Sequence, residues 1–393
     1  MSDSGSSETR NDGAGRTHGG GSDGTHNDGS SDERPAGPGD ERPWNRPEEP
    51  LSIDGIGTYL RCPRQYEFAR VHGLESADES DGSDRVDLLR RAICAALRTG
   101  KTTHGALLEA GLTRLAELWG DHDERFHSRT QRRHERTVLE ATLRAYVEAV
   151  GTDHAAGLEQ CVGADVTCAD LVGPGLTLSR TVSPSKTAES AGSEPGDDPS
   201  PIEIEADVDY VFRDGSSLVA ARFVPTLASL GLLRYRSRWK GDVAGHFVDH
   251  FDRESDVYDP EAVGALFETA VVLGGLRSLR DRLGLGGKTC RYVRVPLADR
   301  SRTSVNWVRG SVETSVKITD LTDVYVDQHA YAMTHEHRNE TVDGRLAAIV
   351  GRIRAGKFDP TDRWEQVQRA ACPDCGYAVC CQDRIASEVQ FDG

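Results

Sequence analysis

Cysteine is the residue type in this 393-residue chain whose spacing most invites chemistry. Cys372, Cys375, Cys380 and Cys381 crowd the C-terminal end in the run Cys372-Pro373-Asp374-Cys375-Gly376-Tyr377-Ala378-Val379-Cys380-Cys381, and Cys62 stands near the other end between Arg61 and Pro63. A C-x2-C-x5-C run plus one distant cysteine makes a four-thiolate set of Cys62, Cys372, Cys375 and Cys381, for which Cys380 is a possible substitute. Thiolates ligate zinc and iron–sulfur clusters alike, and a cytosolic chain seldom uses such cysteines as disulfides. An inorganic centre joining both ends would close a loop of about three hundred residues, where closure entropy is largest. Cys94, Cys161, Cys168 and Cys290 lie in apolar or strand-like patterns and read as small core residues. His335 and His337 read as a solvated helix face.

The elements that must position these thiols begin after the tail. Residues 1–47 are Gly, Ser, Asp, Asn and Arg with almost no aliphatic side chain, so they cannot bury enough apolar surface to offset ordering. They read as a disordered acidic tail without a secretory h-region. No apolar run approaches the ~18 residues of a membrane span, which predicts a soluble, cytoplasmic protein with no membrane partner. Residues 48–393 read as one α/β domain, a mixed sheet flanked by helices. Leu51–Gly73 predicts a capped helix starting at Ser52 or Asp54. Spacings of three and four predict helices over Val86–Arg98, His104–Trp119 and Gln131–Val150, the last two forming a helical insert over about 100–150. Period-two patterns predict strands over Gln160–Cys168 and Ile202–Phe212, a flexible insertion over 183–201 between them, and an Asp214-Gly215 hairpin into Leu218–Val224. Helix over Glu261–Leu283, strands over Thr289–Leu297 and Val305–Val316, and helix over Thr322–Lys357 broken near Thr341 lead into the cysteine segment 372–381.

Net charge is −17, and the cations are six Lys against 41 Arg. Such an acidic, Lys-poor surface suits concentrated salt, where charges are screened within a few ångström, and marks the chain as halophilic. Net acidity ordinarily disfavours nucleic acid; here contact would have to come from local arginine clusters. Leu233-Arg234-Tyr235-Arg236-Ser237-Arg238-Trp239-Lys240 interleaves cations with aromatics, as phosphate contact plus base stacking requires. Arg234, Arg236, Arg238, Trp239 and Lys240 are the candidates, against the plainer reading of a solvated edge strand.

The run Tyr59-Leu60-Arg61-Cys62-Pro63-Arg64-Gln65-Tyr66-Glu67-Phe68, preceded by Ser52, resembles the opening motif of the iron–sulfur PD-(D/E)XK nucleases, the branch containing Cas4 and the AddB nuclease domain. Gly356-Lys357-Phe358-Asp359-Pro360 resembles that branch's approach to its last cysteines. The resemblance spans Leu51 to about Gln382 and is carried by the two ends. It implies a PD-(D/E)XK-like mixed sheet, a [4Fe–4S] cluster on Cys62, Cys372, Cys375 and Cys381, with zinc as the alternative, and DNA ends or single strands as partner. A helicase or repair complex often works beside such relatives.

The resemblance also implies a cleavage site: an Asp on one strand, then an acid two residues before a Lys on the next, holding Mg²⁺ or Mn²⁺ that activates water and stabilises the phosphorane. Asp209 falls on the first acid, but the second acid and the Lys fall on Arg222 and Val224, and no acid or Lys occurs from Ser216 to Leu233. The early helix, where the family offers a His ligand, carries Arg90 and Arg91. The later helix keeps one polar residue of interest, Glu268. The expectation is an impaired nuclease in which Asp209 and Arg222 form a salt bridge in the former metal site. The scaffold would then bind DNA or hold a repair complex together. The alternatives are an active exonuclease drawing on Asp207, Asp209 and Glu268 with Mg²⁺ or Mn²⁺, and a zinc-stapled interaction protein without nucleic acid.

Overall fold

The computed structural model describes residues 49–74, 82–122, 124–163, 166–184, 200–226, 243–306, 311–327 and 336–388. The chain divides into Met1–Glu41 and Arg42–Gly393, and every described residue belongs to the second unit. Its strands are β1 Leu51–Ser52, β2 Val172–Val182, β3 Ile202–Asp214, β4 Ser217–Val224, β5 Thr289–Pro296, β6 Thr303–Asn306, β7 Ser311–Thr314 and β8 Thr319–Asp320. Its α-helices are α1 Ile53–Arg61, α2 Pro63–Tyr66, α3 Gly82–Arg98, α4 His104–Asp121, α5 Arg129–Tyr146, α6 Thr152–Glu159, α7 Cys168–Leu171, α8 Val243–Asp249, α9 Pro260–Arg282, α10 Leu321–Asp327, α11 Glu340–Arg354, α12 Trp364–Ala370 and α13 Gln382–Glu388. The result is a mixed α/β fold with a mixed sheet flanked by helices.

The sheet runs β1-β3-β4-β5-β8, with β2 also on β3. Pairs β2–β3, β3–β4 and β5–β8 are antiparallel, while β1–β3 and β4–β5 are parallel. The parallel β4–β5 pair needs a crossover, and α9 supplies it. One detail governs the site. β2 occupies one edge of β3 from Ile202 to Tyr210. On the other edge β4 pairs only from Tyr210 to Asp214, while β1 takes Ile204 and Glu205. β3 and β4 therefore part company just before Tyr210, leaving a fork.

α1 is short because its ends are dictated. Ile53, Ile56, Tyr59 and Leu60 are buried on one face, Asp54 lies in the first turn and Arg61 in the last, each favourable to the helix dipole. Pro63 forces the preceding Cys62 into an extended conformation, φ −161° and ψ 115°, and then opens α2 as its first residue. Cys62 is thus held at a sharp corner between two helices.

α9 is a central helix. By length and composition Pro260–Arg282 could cross a membrane, contrary to the expectation that no segment could; 78% of its apolar window is buried inside the protein, which is the burial of a core helix. Gly275 lets it lie against β2, since a Cβ there would stand 2.8 Å from that of Leu178.

Two boundaries differ from the sequence expectations. The described residues of Gln160–Cys168 form no strand: α6 ends in a turn there, and Thr167 and Asp170 form a capping box that opens α7 at Cys168. The strand lies one element later, in β2, whose Gly173-Pro174-Gly175 start hides its alternation. Val305–Val316 is a hairpin of β6 and β7 rather than one strand. The helix expected over Thr322–Lys357 with a break near Thr341 is α10 and α11; α11 begins at Glu340, capped by Asn339, whose side chain accepts from the Val342 amide. Most of the 183–201 insertion lies outside the described residues.

Candidate functional site

The corner after α1 and the segment 372–381 meet at the cysteines. Cys62, Cys372, Cys375 and Cys381 line one narrow cavity together with Arg64 and Phe68. Around it Arg64 Nε reaches Asp383 at 2.8 Å, the Tyr377 hydroxyl donates to the Leu74 carbonyl at 2.8 Å, and Arg384 donates to the Cys372 carbonyl at 3.1 Å. Cys380 stands apart: it is exposed, and its thiol donates to the Tyr377 carbonyl at 3.3 Å. Of the remaining cysteines, Cys94, Cys161 and Cys290 are buried and Cys168 is half-buried.

Burial, with the neighbouring Cys375 and Cys372, pushes the Cys62 thiol up against the pull of the Gln65 and Arg64 amides, to about 11. Such thiols ionise together only beside a positive centre, whose binding displaces their protons. The donor set therefore suits a thiophilic metal group. Among the described residues no group of three or more His, Cys, Asp and Glu side chains is gathered tightly enough for one metal ion.

The second constellation fills the fork. Tyr210 opposes Ala221 in the β3–β4 ladder, so Asp209 and Arg222 are the next cross-strand positions, just where the ladder stops. The expected Asp209–Arg222 salt bridge is not what forms. Asp209 is fully buried, its Oδ1 accepting from Arg90 Nε at 3.0 Å and its Oδ2 from the Phe223 amide at 2.6 Å. The carboxylate thus caps a strand N–H that lost its ladder partner when β4 diverged. Burial raises its pKa against the opposing pull of Arg90.

Arg222 turns instead to Glu268 and Asp54. Its Nη1 donates to Glu268 Oε1 at 2.7 Å and its Nη2 to both Asp54 oxygens at 3.1 Å. Arg294 from β5 and the Tyr292 hydroxyl also donate to Glu268. Burial pushes the Glu268 carboxyl up, but Arg294 and Arg222 outweigh it and hold the group at about 2. The cluster borders a cleft of about 470 Å³ whose lining includes Asp54, Asp87, Arg90, Arg222, Val224 and Glu268.

Chemically, Asp54, Asp209 and Glu268 are matched by Arg90, Arg222 and Arg294. A divalent cation entering here would meet guanidinium groups already bonded to every buried carboxylate. Asp207 does not join them; it is exposed and bonds Thr177 at 2.9 Å. Arg234, Arg236, Arg238, Trp239 and Lys240 lie outside the described residues, as does His335, while His337 has φ 58°. Sequence reasoning missed Asp54, Tyr292 and Arg294. A signal existed: Arg294 inside an apolar strand and Glu268 inside an apolar helix are lone charges that must find partners when buried.

No family model matches the chain, and no curated protein matches it.

Proposed function

We propose that this chain is a cluster-stapled protein of PD-(D/E)XK nuclease type whose metal site has been replaced by an internal ion-pair network, and that it binds DNA without cutting it. The observation that carries this reading is Arg222. It stands next to Asp209 at the opening of the strand fork, where the nuclease motif calls for the second acid, and it is held by Glu268 and Asp54. Arg90, on the helix where the family offers a histidine, neutralises Asp209. Metal-dependent hydrolysis needs anionic ligands open to the ion; here each is occupied by a cation of the chain itself.

The four cysteines lining one cavity, with the Cys-Pro-Arg motif around Cys62, support a [4Fe–4S] cluster on Cys62, Cys372, Cys375 and Cys381, with zinc as the alternative. When bound, the cluster would act as a structural tie between α1 and the C-terminal segment. The acidic composition fits a cytoplasm rich in salt, and a helicase or repair complex remains the natural kind of partner for such a scaffold.

Purified full-length chain should leave single- and double-stranded DNA intact with 10 mM Mg²⁺ or Mn²⁺ (a concentration of order 10 mM saturates ordinary sites) in molar KCl. It should shift single-stranded DNA in a binding assay, and Arg236→Ala with Trp239→Ala should weaken that by about tenfold, as loss of one stacked base and one phosphate contact implies. Metal-dependent degradation that vanishes in Asp209→Asn would restore the active-exonuclease reading. Zinc in place of iron together with no DNA binding would favour the zinc-stapled interaction protein.

A further inference from the structure

A third recess, separate from the sulfur cavity and the ion-pair cleft, measures about 120 Å³ and lies between α1, the loop 250–259 and α11. Its walls are aromatic, with Tyr59, Phe251, Tyr258 and the ring of His250. His250 stacks on Tyr258 with centroids 5.2 Å apart, and Phe251 meets His250 edge-on at 5.0 Å. The loop is clamped. The Arg363 guanidinium donates to the carbonyls of His250, Asp252, Ser255 and Val257 at 2.6, 2.7, 3.0 and 2.8 Å. The Tyr258 hydroxyl donates to the Leu60 and Arg61 carbonyls at 3.0 and 2.5 Å. A preformed recess of this kind binds without a large ordering cost.

One buried polar group on the lining, the His250 ring, has a donor without an acceptor among the described residues. His250 is 6% exposed, and its Nδ1 accepts from the Asp259 amide at 3.0 Å. Burial and then Arg363 hold its pKa down to about 4, so the ring is neutral and its proton sits on Nε2. Nε2 has no hydrogen-bond partner among the described residues. At the rim Arg253 and Arg352 meet the Asp362 carboxylate at 2.8 and 3.5 Å, and Asp359 also lines the recess.

We propose that this recess binds a single-ring nucleobase, one ring oxygen accepting from His250 Nε2 and the attached phosphate lying toward Arg253 and Arg352. A dry cavity of about 150 Å³ takes up benzene, so about 120 Å³ with an open mouth fits one ring. The His250 donor decides the ring's chemistry. Phenylalanine and tryptophan side chains bring none, whereas a pyrimidine base brings ring carbonyls, and aromatic walls are what bases stack on. The inference deepens the nucleic-acid reading and rests on it where the base belongs to a strand; a free nucleotide would present the same chemistry.

The test is a titration of the full chain followed through the His250 imidazole resonances, with cytidine 5′-monophosphate, with an oligodeoxycytidine, and with N-acetyltyrosinamide. Both nucleotide probes should shift His250. Ile349→Trp, which fills the recess, should weaken them by about tenfold or more, the loss expected for one stacked base. Should that variant not fold, His250→Phe keeps a ring against Tyr258 and removes the donor, and it should weaken binding likewise. Arg253→Ala should weaken the monophosphate by about threefold, a rim-charge effect. A response to the monophosphate alone sustains the base site and overturns strand binding through it. Strand binding that leaves His250 unmoved and survives Ile349→Trp overturns the base site while the nucleic-acid reading stands. A shift with N-acetyltyrosinamide only, or with no probe, also overturns it.

Discussion

Cys62→Ser is expected to strip the purified chain of most of its iron and sulfide, to remove absorbance near 400 nm, and to lower its stability by about 3–5 kcal/mol. The reasoning is topological. Cys62 sits at the corner between α1 and α2, fixed by Pro63, and faces Cys372, Cys375 and Cys381 across one cavity. A centre bonded to all four ties a loop of about three hundred residues, so cutting the tie returns a large closure entropy to the unfolded chain. The contacts that remain around the cavity are few. The apolar cluster there consists of Cys62, Val367 and Ala371 with Tyr258 packed on it, and the ion pair of Arg64 with Asp383 is partly exposed. Anaerobic purification followed by iron, sulfide and zinc analysis, with denaturant unfolding in molar salt, measures both effects. Cys380→Ser is the control, since Cys380 is exposed and does not line the cavity; it should keep the iron and the stability. Iron content in Cys62→Ser equal to that of the parent would sink the tie.

How much of this was legible in the sequence depends on the range of the cause. Helices α3, α4 and α9 were readable because their apolar spacing is a local property, and the Asp214-Gly215 turn because Gly215 alone suits φ 55°. β2 was not, because Gly173-Pro174-Gly175 interrupts the alternation and its ladder with β3 is a tertiary fact. The cysteine positions could be grouped by spacing, yet only the folded chain distinguishes Cys381 on the cavity from Cys380 at the surface. In the fork, the sequence exposed the missing acid and lysine, but not the direction in which Arg222 would turn. Cross-strand adjacency suggested Asp209. The competition was won by Glu268, which α9 brings in from 46 positions away, and Asp209 was already neutralised by Arg90 and bonded to the Phe223 amide. Glu268 also takes Arg294 and the Tyr292 hydroxyl, so three elements converge on one carboxylate, and that convergence is not written in any local pattern.

Glu268→Gln should expose that choice directly, with an expected loss of about 3–5 kcal/mol at neutral pH. Glu268 is 3% exposed and receives Arg222, Arg294 and the Tyr292 hydroxyl. An amide of the same shape keeps the packing but leaves Arg222 with Asp54 alone and Arg294 without its carboxylate, and breaking one member of a buried ionic cluster costs far more than the cluster's net worth. The pH dependence follows from the carboxyl's displacement from its ordinary 4.5 to about 2. A depressed folded-state pKa stabilises above the unfolded value, and this contribution is lost as pH falls from about 4.5 toward about 2. Asp209 acts in the opposite sense. Burial raises its pKa, so its effect on stability is most favourable when it is protonated and declines as pH rises through the carboxyl range. The parent chain should therefore lose part of its advantage over Glu268→Gln on acidification, the gap narrowing between about pH 4.5 and pH 2. Denaturant midpoints of the two proteins across that range measure it. A second substitution set separates charge from packing: Arg222→Leu, Glu268→Met and Arg294→Leu together remove the cluster as a unit and should recover most of the loss, because no buried charge is then left unmatched and Asp54 is largely exposed. A gap below about 1 kcal/mol that does not change with pH would mean that Glu268 does not organise the arginines.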